Sequence, residues 1–186
     1  VSKIKTKNIK NIIGHNFRMG EIEAAIGIEQ IKKLPKILLK IQANADLLNN
    51  NLNKLTGIIV PKVDNLKITH SYYTYGINLD LKKIKISRKK IVDFLKKEGV
   101  PCGEGYLNLH LLPIFKKKIA YGNDNFPWSL NKKNYQYRKG DCPNAEKLHF
   151  KSYIGIGLTH YDFKEKDIKH IIKSFYKVWK TLKIGV

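Results

Sequence analysis

The sequence predicts an α+β fold: a small antiparallel or mixed sheet with helices over one face, preceded by one long helix. Three observations carry this. From Ala24 to Leu55 apolar residues recur every three or four positions, the period of an amphipathic helix. Over residues 72–80 the period drops to two, with tyrosines and branched residues on one side, as in a half-buried strand. From about residue 57 the segments read strand, strand, helix, strand, loop, helix, strand, helix. One small sheet with covering helices satisfies that order.

Residues 1–13 are polar and basic and read as a lead-in. The helical stripe then runs through Ala24, Ile28, Ile31, Leu34, Leu38, Ile41, Ala45, Leu48, Leu52 and Leu55. Pro35 falls inside it, so a kink or a break into two helices is expected there. A helix of this length commonly links or braces domains. Gly57-Ile-Ile-Val60 reads as a short strand ending at Pro61. Over 72–80, Tyr73, Tyr75, Ile77 and Leu79 are expected on one face, and Tyr72, Thr74 and Asn78 on the other. Ser87 is placed to cap a helix that presents Ile91, Phe94 and Leu95 and stops at Gly99. Val100-Pro-Cys102 opens another short strand.

Residues 103–143 are rich in Gly, Asn, Tyr and Pro and read as loop-dominated. An active-site loop is one explanation for that length. A short helix is expected over 145–149 and a strand over 153–158. Asp162 followed by Glu165 reads as a capping box. The last helix carries Ile168, Ile171, Phe175, Val178 and Leu182 on one stripe. The first 55 residues close no domain by themselves and read as the tail of something larger.

The chain has 186 residues and a formal charge of +21. A basic face is the usual footprint of a nucleic-acid binder. Yet only three of the 36 basic residues are Arg, the residue suited to phosphate forks and base edges. The charge is lysine in a chain biased toward Lys, Ile and Asn, as an AT-rich coding sequence yields, so no nucleic-acid partner is expected. Apolar content of 42% supports a core and excludes disorder. No run approaches the roughly 20 apolar residues of a membrane span, so no membrane partner is expected. The first twelve residues lack the apolar centre of a signal peptide. Cys102 and Cys142 form neither a disulfide framework nor a metal site, and a cytoplasmic setting is expected. The chain begins with Val and holds one Met, Met19, which reads as a processed product or a piece of a longer protein.

Three segments are candidates for chemistry. In Gly14-His-Asn-Phe-Arg-Met-Gly-Glu21, Gly14 and Asn16 precede a helix start. Free backbone N–H groups and an amide side chain there can hold a phosphate or carboxylate. Arg18 can hold an anion or pair with Glu21 or Glu23. In Gly103-Glu-Gly-Tyr-Leu-Asn-Leu-His110, a glycine-rich segment groups Glu104, Tyr106 and His110. It can present them to a polar ligand, with His110 donating a hydrogen bond or moving a proton, or it is a surface loop anchored by its Tyr and Leu residues. In Tyr137-Arg-Lys-Gly-Asp-Cys-Pro-Asn-Ala-Glu146, Asp141 and Pro143 fit a helix start, and capping is the favoured role. Nothing in the sequence activates Cys142 as a nucleophile.

The first segment, together with Ala24-Ala-Ile-Gly27, Gln30 and Leu34, resembles the DegT/DnrJ/EryC1/StrS family of pyridoxal-phosphate-dependent sugar aminotransferases. The resemblance continues through Ser71-Tyr-Tyr, Arg88, Glu98-Gly-Val100, Gly105-Tyr106, Leu109-His110, Pro113-x-Phe115 and Gly140-Asp-Cys-Pro-x-Ala-Glu146. It implies the C-terminal part of a fold-type I transferase of about twice this length. Residues 1–35 would be the end of the large domain, residues 36–56 the linking helix and residues 57–186 the small domain. The Schiff-base lysine would lie upstream, so no catalytic residue is nominated and the chain alone is expected to be inactive. By the resemblance, Asn16 reaches the cofactor phosphate bound in a partner subunit, with Gly14 and Arg18 in the same cross-subunit segment. Tyr106 and His110 line the sugar-nucleotide side of the cleft. A homodimer is implied, using pyridoxal phosphate, a nucleotide-linked keto-sugar and an amino-acid donor, usually glutamate. A dehydratase that uses the amine form of the cofactor, and a non-catalytic small-domain scaffold, remain alternatives.

Overall fold

The computed structural model describes residues 18–63, 68–105, 107–120, 124–131, 133 and 135–185. The elements begin with α1 (Glu21–Leu52), β1 (Ile58–Ile59), β2 (Tyr75–Leu79), α2 (Arg88–Lys97) and β3 (Cys102–Glu104). They continue with α3 (Pro113–Lys117), α4 (Pro143–Lys147), β4 (Tyr153–Ile156) and α5 (Glu165–Thr181). Short 3-10 turns cover Leu109–Leu111 and Trp128–Leu130, and a π turn covers Leu148–Ser152. Two compact units result. One comprises residues 21–106 and 147–186, and the other holds residues 107–146.

The first unit is a four-stranded sheet in the order β1-β2-β4-β3, antiparallel throughout. Because side chains alternate across a strand, register decides what is buried. Tyr75 stands opposite Ile156, which stands opposite Cys102; Ile77 faces Ile154, and Ile58 faces Leu79. All seven are buried in one core with Ala45, Leu48 and Leu52 of α1, Ile91, Val92 and Leu95 of α2, and Ile168, Phe175 and Val178 of α5. Each such aliphatic side chain contributes about 1.5–3 kcal/mol by leaving water. The opposite face has a floor of glycine. Gly76, Gly155 and Gly103 lie side by side, and a Cβ on Gly76 would come within 2.5 Å of the Tyr153 ring.

Polar bonds tie α1 and the turn that follows it to their neighbours. The buried Tyr75 hydroxyl donates to Asn49 Oδ1 at 2.8 Å, and burial pushes its pKa well up. The Trp179 indole N–H donates to Thr56 O at 2.9 Å, and the Tyr176 hydroxyl to Asn51 O at 3.1 Å. At α2, Ser87 accepts from Lys90 N as the expected cap, and Gly99 ends the helix at φ +81°, a conformation glycine adopts without strain.

Four expectations change. First, of the kink or break expected at Pro35, the break does not occur: α1 runs as one helix with Pro35 inside it. Proline removes one intrahelical bond, and the rest of the ladder continues. Second, Tyr72, not Tyr73, enters the core: Tyr72 is 3% exposed and Tyr73 63%. Tyr72 takes a left-handed φ of +48° and donates its N–H to His70 Nδ1 at 2.8 Å, which breaks the alternation before β2 begins. Third, the cap of α5 sits two residues later than predicted. Asp167 accepts from Lys164 N at 2.9 Å, while Asp162 pairs with Lys40 and Glu165 with Lys169. Fourth, the helix expected over 145–149 starts earlier, as α4, and passes into the π turn.

Arg88 secures that turn. Its guanidinium donates to the carbonyls of His149 at 2.6 Å and Leu148 at 3.2 Å, and to Glu104 Oε2 at 3.2 Å. One side chain thus holds the start of α2, the π turn and the end of β3. The same ion pair gives Glu104, grouped with the ligand candidates in the sequence, a partner within the fold.

Candidate functional site

The second unit is built from short pieces and polar ties. Asn108 precedes the 3-10 turn that carries His110, and Pro113 then opens α3, where its missing N–H is no loss. Phe115 of α3 meets the rings of Trp128 and Tyr137 edge-on, at centroid distances of 6.0 and 5.8 Å. The Trp128 indole N–H donates to the Tyr137 hydroxyl at 3.1 Å.

Beyond these rings the chain turns at Arg138, whose carbonyl accepts from Asp141 N at 3.3 Å. Gly140 sits in the turn at φ +102°, the third turn position where glycine is favoured. Asp141 Oδ2 accepts from Arg138 N at 2.6 Å. That N–H, then the Tyr135 hydroxyl, holds the Asp141 carboxyl below its ordinary range. The same bond to Asp141 raises the Tyr135 pKa. The helix start expected around Asp141 and Pro143 is present, but Asp141 closes the preceding turn.

Glu146 supplies the other tie. Its Oε1 accepts from Gly140 N at 2.7 Å, from His110 Nε2 at 2.9 Å and from Cys142 N at 3.4 Å. The Gly140 N–H, followed by His110, holds the Glu146 carboxyl below its ordinary range. Glu146 is therefore an ionised, acceptor-only group, and the nitrogen facing it carries a proton. Glu146 and His110 are 8% and 9% exposed. Asn108 Nδ2 on the same turn is buried without a partner among the described residues.

The structure thus brings together parts of the second and third candidate segments. His110 and Glu146 meet across 36 positions of chain. Arg18 is exposed. Gly14, Asn16 and Tyr106 lie outside the described residues. Cys142 is exposed and unlinked, and Cys102 is buried with its thiol pushed up to about 11. Elsewhere, a hollow of about 460 Å³ is lined by Pro101, Tyr161, Asp162, Asp167 and His170 among others. Lys40, Lys164 N and Glu98 O already engage its two aspartates and its histidine. Among the described residues no helix is long and apolar enough to cross a membrane.

Residues 1–133 match the DegT/DnrJ/EryC1/StrS aminotransferase family. The chain belongs to that family. An uncharacterised protein of Methanocaldococcus jannaschii is 29% identical over 133 residues, covering 72% of this chain and 30% of its own length. The GDP-perosamine synthase of Vibrio cholerae is 28% identical over 171 residues, covering 89% of this chain and 40% of the synthase. The GDP-4-keto-6-deoxy-D-mannose 3-dehydratase of Escherichia coli O55:H7 is 30% identical over 118 residues, covering 60% of this chain and 29% of the dehydratase. The chain spans between 27% and 40% of the length of the curated relatives it matches.

A Streptococcus pneumoniae protein in its PLP form has the same fold, with TM-score 0.65 at 19% identity, covering 89% of this chain and 37% of that one. It has also been solved in a PMP form. The expected fold class, a C-terminal portion of such a transferase, is borne out. The cofactor expected for the DegT/DnrJ/EryC1/StrS chain is the one carried by this protein of the same fold.

The sequence reading missed Glu146 as the partner of His110 and Arg88 as a clamp. For Glu146 one signal was available: a carboxylate four residues after Cys142, at a helix start, can reach back to free N–H groups.

Proposed function

We propose that this chain is the C-terminal part of a pyridoxal-phosphate-dependent aminotransferase that moves an amino group from an amino acid, glutamate, to a nucleotide-linked keto-sugar. The observation that carries the reading is the family match over residues 1–133, because that span contains every nominated site residue. Residues 1–35 belong to the end of the large domain, residues 36–56 to the linking helix and residues 57–186 to the small domain. The exposed apolar residues of the first half of α1, such as Ile22, Ile26, Ile31 and Leu34, support the placement beside a larger domain. A helix apolar on several sides is normally enclosed.

Pyridoxal phosphate, when bound, supplies the electron sink of the reaction. This chain's own residues bind and orient. Gly14 and Asn16 hold the cofactor phosphate of the partner subunit in a homodimer, with Arg18 adding a fixed positive charge that an anion favours. Tyr106 and His110 face the sugar nucleotide. The Schiff-base lysine lies upstream of residue 1, the chain alone is inactive, and the enzyme works in the cytoplasm.

The test is the longer protein, incubated with glutamate and a nucleotide-linked keto-sugar. The expected result is a visible cofactor band that is lost on adding glutamate and restored by the keto-sugar, with an amino-sugar formed. A protein that binds no cofactor overturns the reading and leaves the scaffold. The dehydratase relative supports a second reading, loss of a sugar hydroxyl with the amine form of the cofactor. Lysine at the upstream cofactor position gives transfer, and histidine gives dehydration.

A further inference from the structure

The pair His110–Glu146 carries one step more. Three N–H groups converge on a single oxygen of Glu146, two from the backbone turn at Gly140 and Cys142 and one from the imidazole. An acceptor-only carboxylate leaves no choice of tautomer: the proton of the neutral ring sits on Nε2. The other nitrogen, Nδ1, is then an acceptor. The side-chain tie of the ring to Glu146 runs through Nε2, and it leaves Nδ1 available to a donor.

We propose that Glu146 is a positioning residue, holding His110 in the Nε2–H tautomer so that Nδ1 accepts a hydrogen bond from a hydroxyl of the sugar substrate. The proposal rests on the sugar-side reading of His110 and deepens it. Glu146 touches no substrate; it acts through the ring. It also ties the ring to the Gly140 turn, so the imidazole is fixed to the segment that closes the unit. Among the described residues, the charged groups at this pair are Asp141 and Glu146. Asp141 is occupied by Arg138 N and the Tyr135 hydroxyl, and Glu146 is the carboxylate in contact with the imidazole.

Two measurements on the longer protein test this. The first is a long-range ¹H–¹⁵N correlation on histidine-labelled protein at a pH where His110 is neutral, assigned with His110→Gln. The expected pattern shows Nε2 protonated and Nδ1 bare. In Glu146→Ala the same ring shows the averaged pattern of a mixed tautomer, whereas Glu146→Gln, whose Oε1 still accepts, retains the Nε2–H form. A wild-type ring protonated on Nδ1, or an unchanged pattern in Glu146→Ala, overturns the proposal.

The second is steady-state kinetics. His110→Gln keeps a donor toward Glu146 but removes the Nδ1 acceptor. KM for the keto-sugar rises about tenfold, the value of one hydrogen bond, with kcat changed less and KM for glutamate unchanged. Glu146→Ala raises the same KM, and Glu146→Gln restores it. Unchanged sugar KM in His110→Gln overturns the proposal. If Glu146→Ala does not fold, the wild-type tautomer and the His110→Gln kinetics still decide. Absence of turnover with any keto-sugar overturns the proposed function instead, while the tautomer is read independently of activity.

Discussion

The two units of this chain are held together by different physics. The sheet unit is a continuous apolar core, with Tyr75, Ile77, Ile154, Ile156, Ile91 and Phe175 fully buried. The unit of residues 107–146 has few buried side chains among its described residues and closes on two carboxylates, Glu146 and Asp141, that collect backbone and ring N–H groups. Apolar burial is spread over many residues and indifferent to acid, whereas the ties to two carboxylates are concentrated and titratable. The chain also carries its own reporters: Trp179 and Cys102 in the sheet unit, Trp128 and Cys142 in the other.

The largest effect is expected from breaking the core. Leu48 is fully buried, and Leu48→Ala removes about 2–5 kcal/mol, transfer and cavity together. Denaturant unfolding followed by Trp179 fluorescence in a Trp128→Phe background reads it. A loss under about 1 kcal/mol would show that the core relaxes around the missing side chain, and the contrast between the units would weaken.

Acid separates the units next. Glu146 and Asp141 have folded pKa values below their ordinary 4.5 and 3.8. A depressed carboxylate contributes stability that is present above its ordinary value and lost as pH falls through the folded one. The 107–146 unit therefore loosens below about pH 4.5, while the apolar core persists. Trp128 fluorescence, read in Trp179→Phe, shifts first; Trp179 shifts at lower pH. Coincident transitions would mean that the two units unfold as one.

The thiols give a chemical version of the same contrast. Burial pushes Cys102 up to about 11 from its ordinary 9.0, a difference that lowers its thiolate fraction at pH 8 about 100-fold. Cys142 is exposed. Brief iodoacetamide treatment of the native chain labels Cys142 and spares Cys102, as peptide mapping would show. Equal labelling would place Cys102 on a surface that opens readily.

This difference also explains what was legible in advance. A period of 2 or 3.6 is local, so Tyr75, Ile77 and Leu79, or Ile168, Ile171 and Phe175, could be placed on a buried face from spacing alone. Where one residue leaves the regular backbone the pattern misleads, as at Tyr72. The tie of His110 to Glu146 has no period, since it joins residues 36 apart through geometry that only the folded turn supplies. Both residues were visible as members of family motifs, His110 in Leu109-His110 and Glu146 in Gly140-Asp-Cys-Pro-x-Ala-Glu146, but nothing in either motif pairs one with the other.

The smallest effect lies within α1, whose apolar residues have two fates. Leu48 and Leu52 are fully buried, but Ile26 is 57% exposed. In this chain Ile26→Ala changes stability by no more than about 0.5 kcal/mol, the usual range for a surface position. In the longer protein the same helix end is proposed to pack against the large domain, and the substitution then costs on the scale of a core truncation, about 2 kcal/mol or more. Denaturation of both forms, with and without Ile26→Ala, reads the difference. An equal, small effect in both would mean that the first half of α1 stays exposed in the longer protein. The apolar residues around it would then need another explanation than a covering domain.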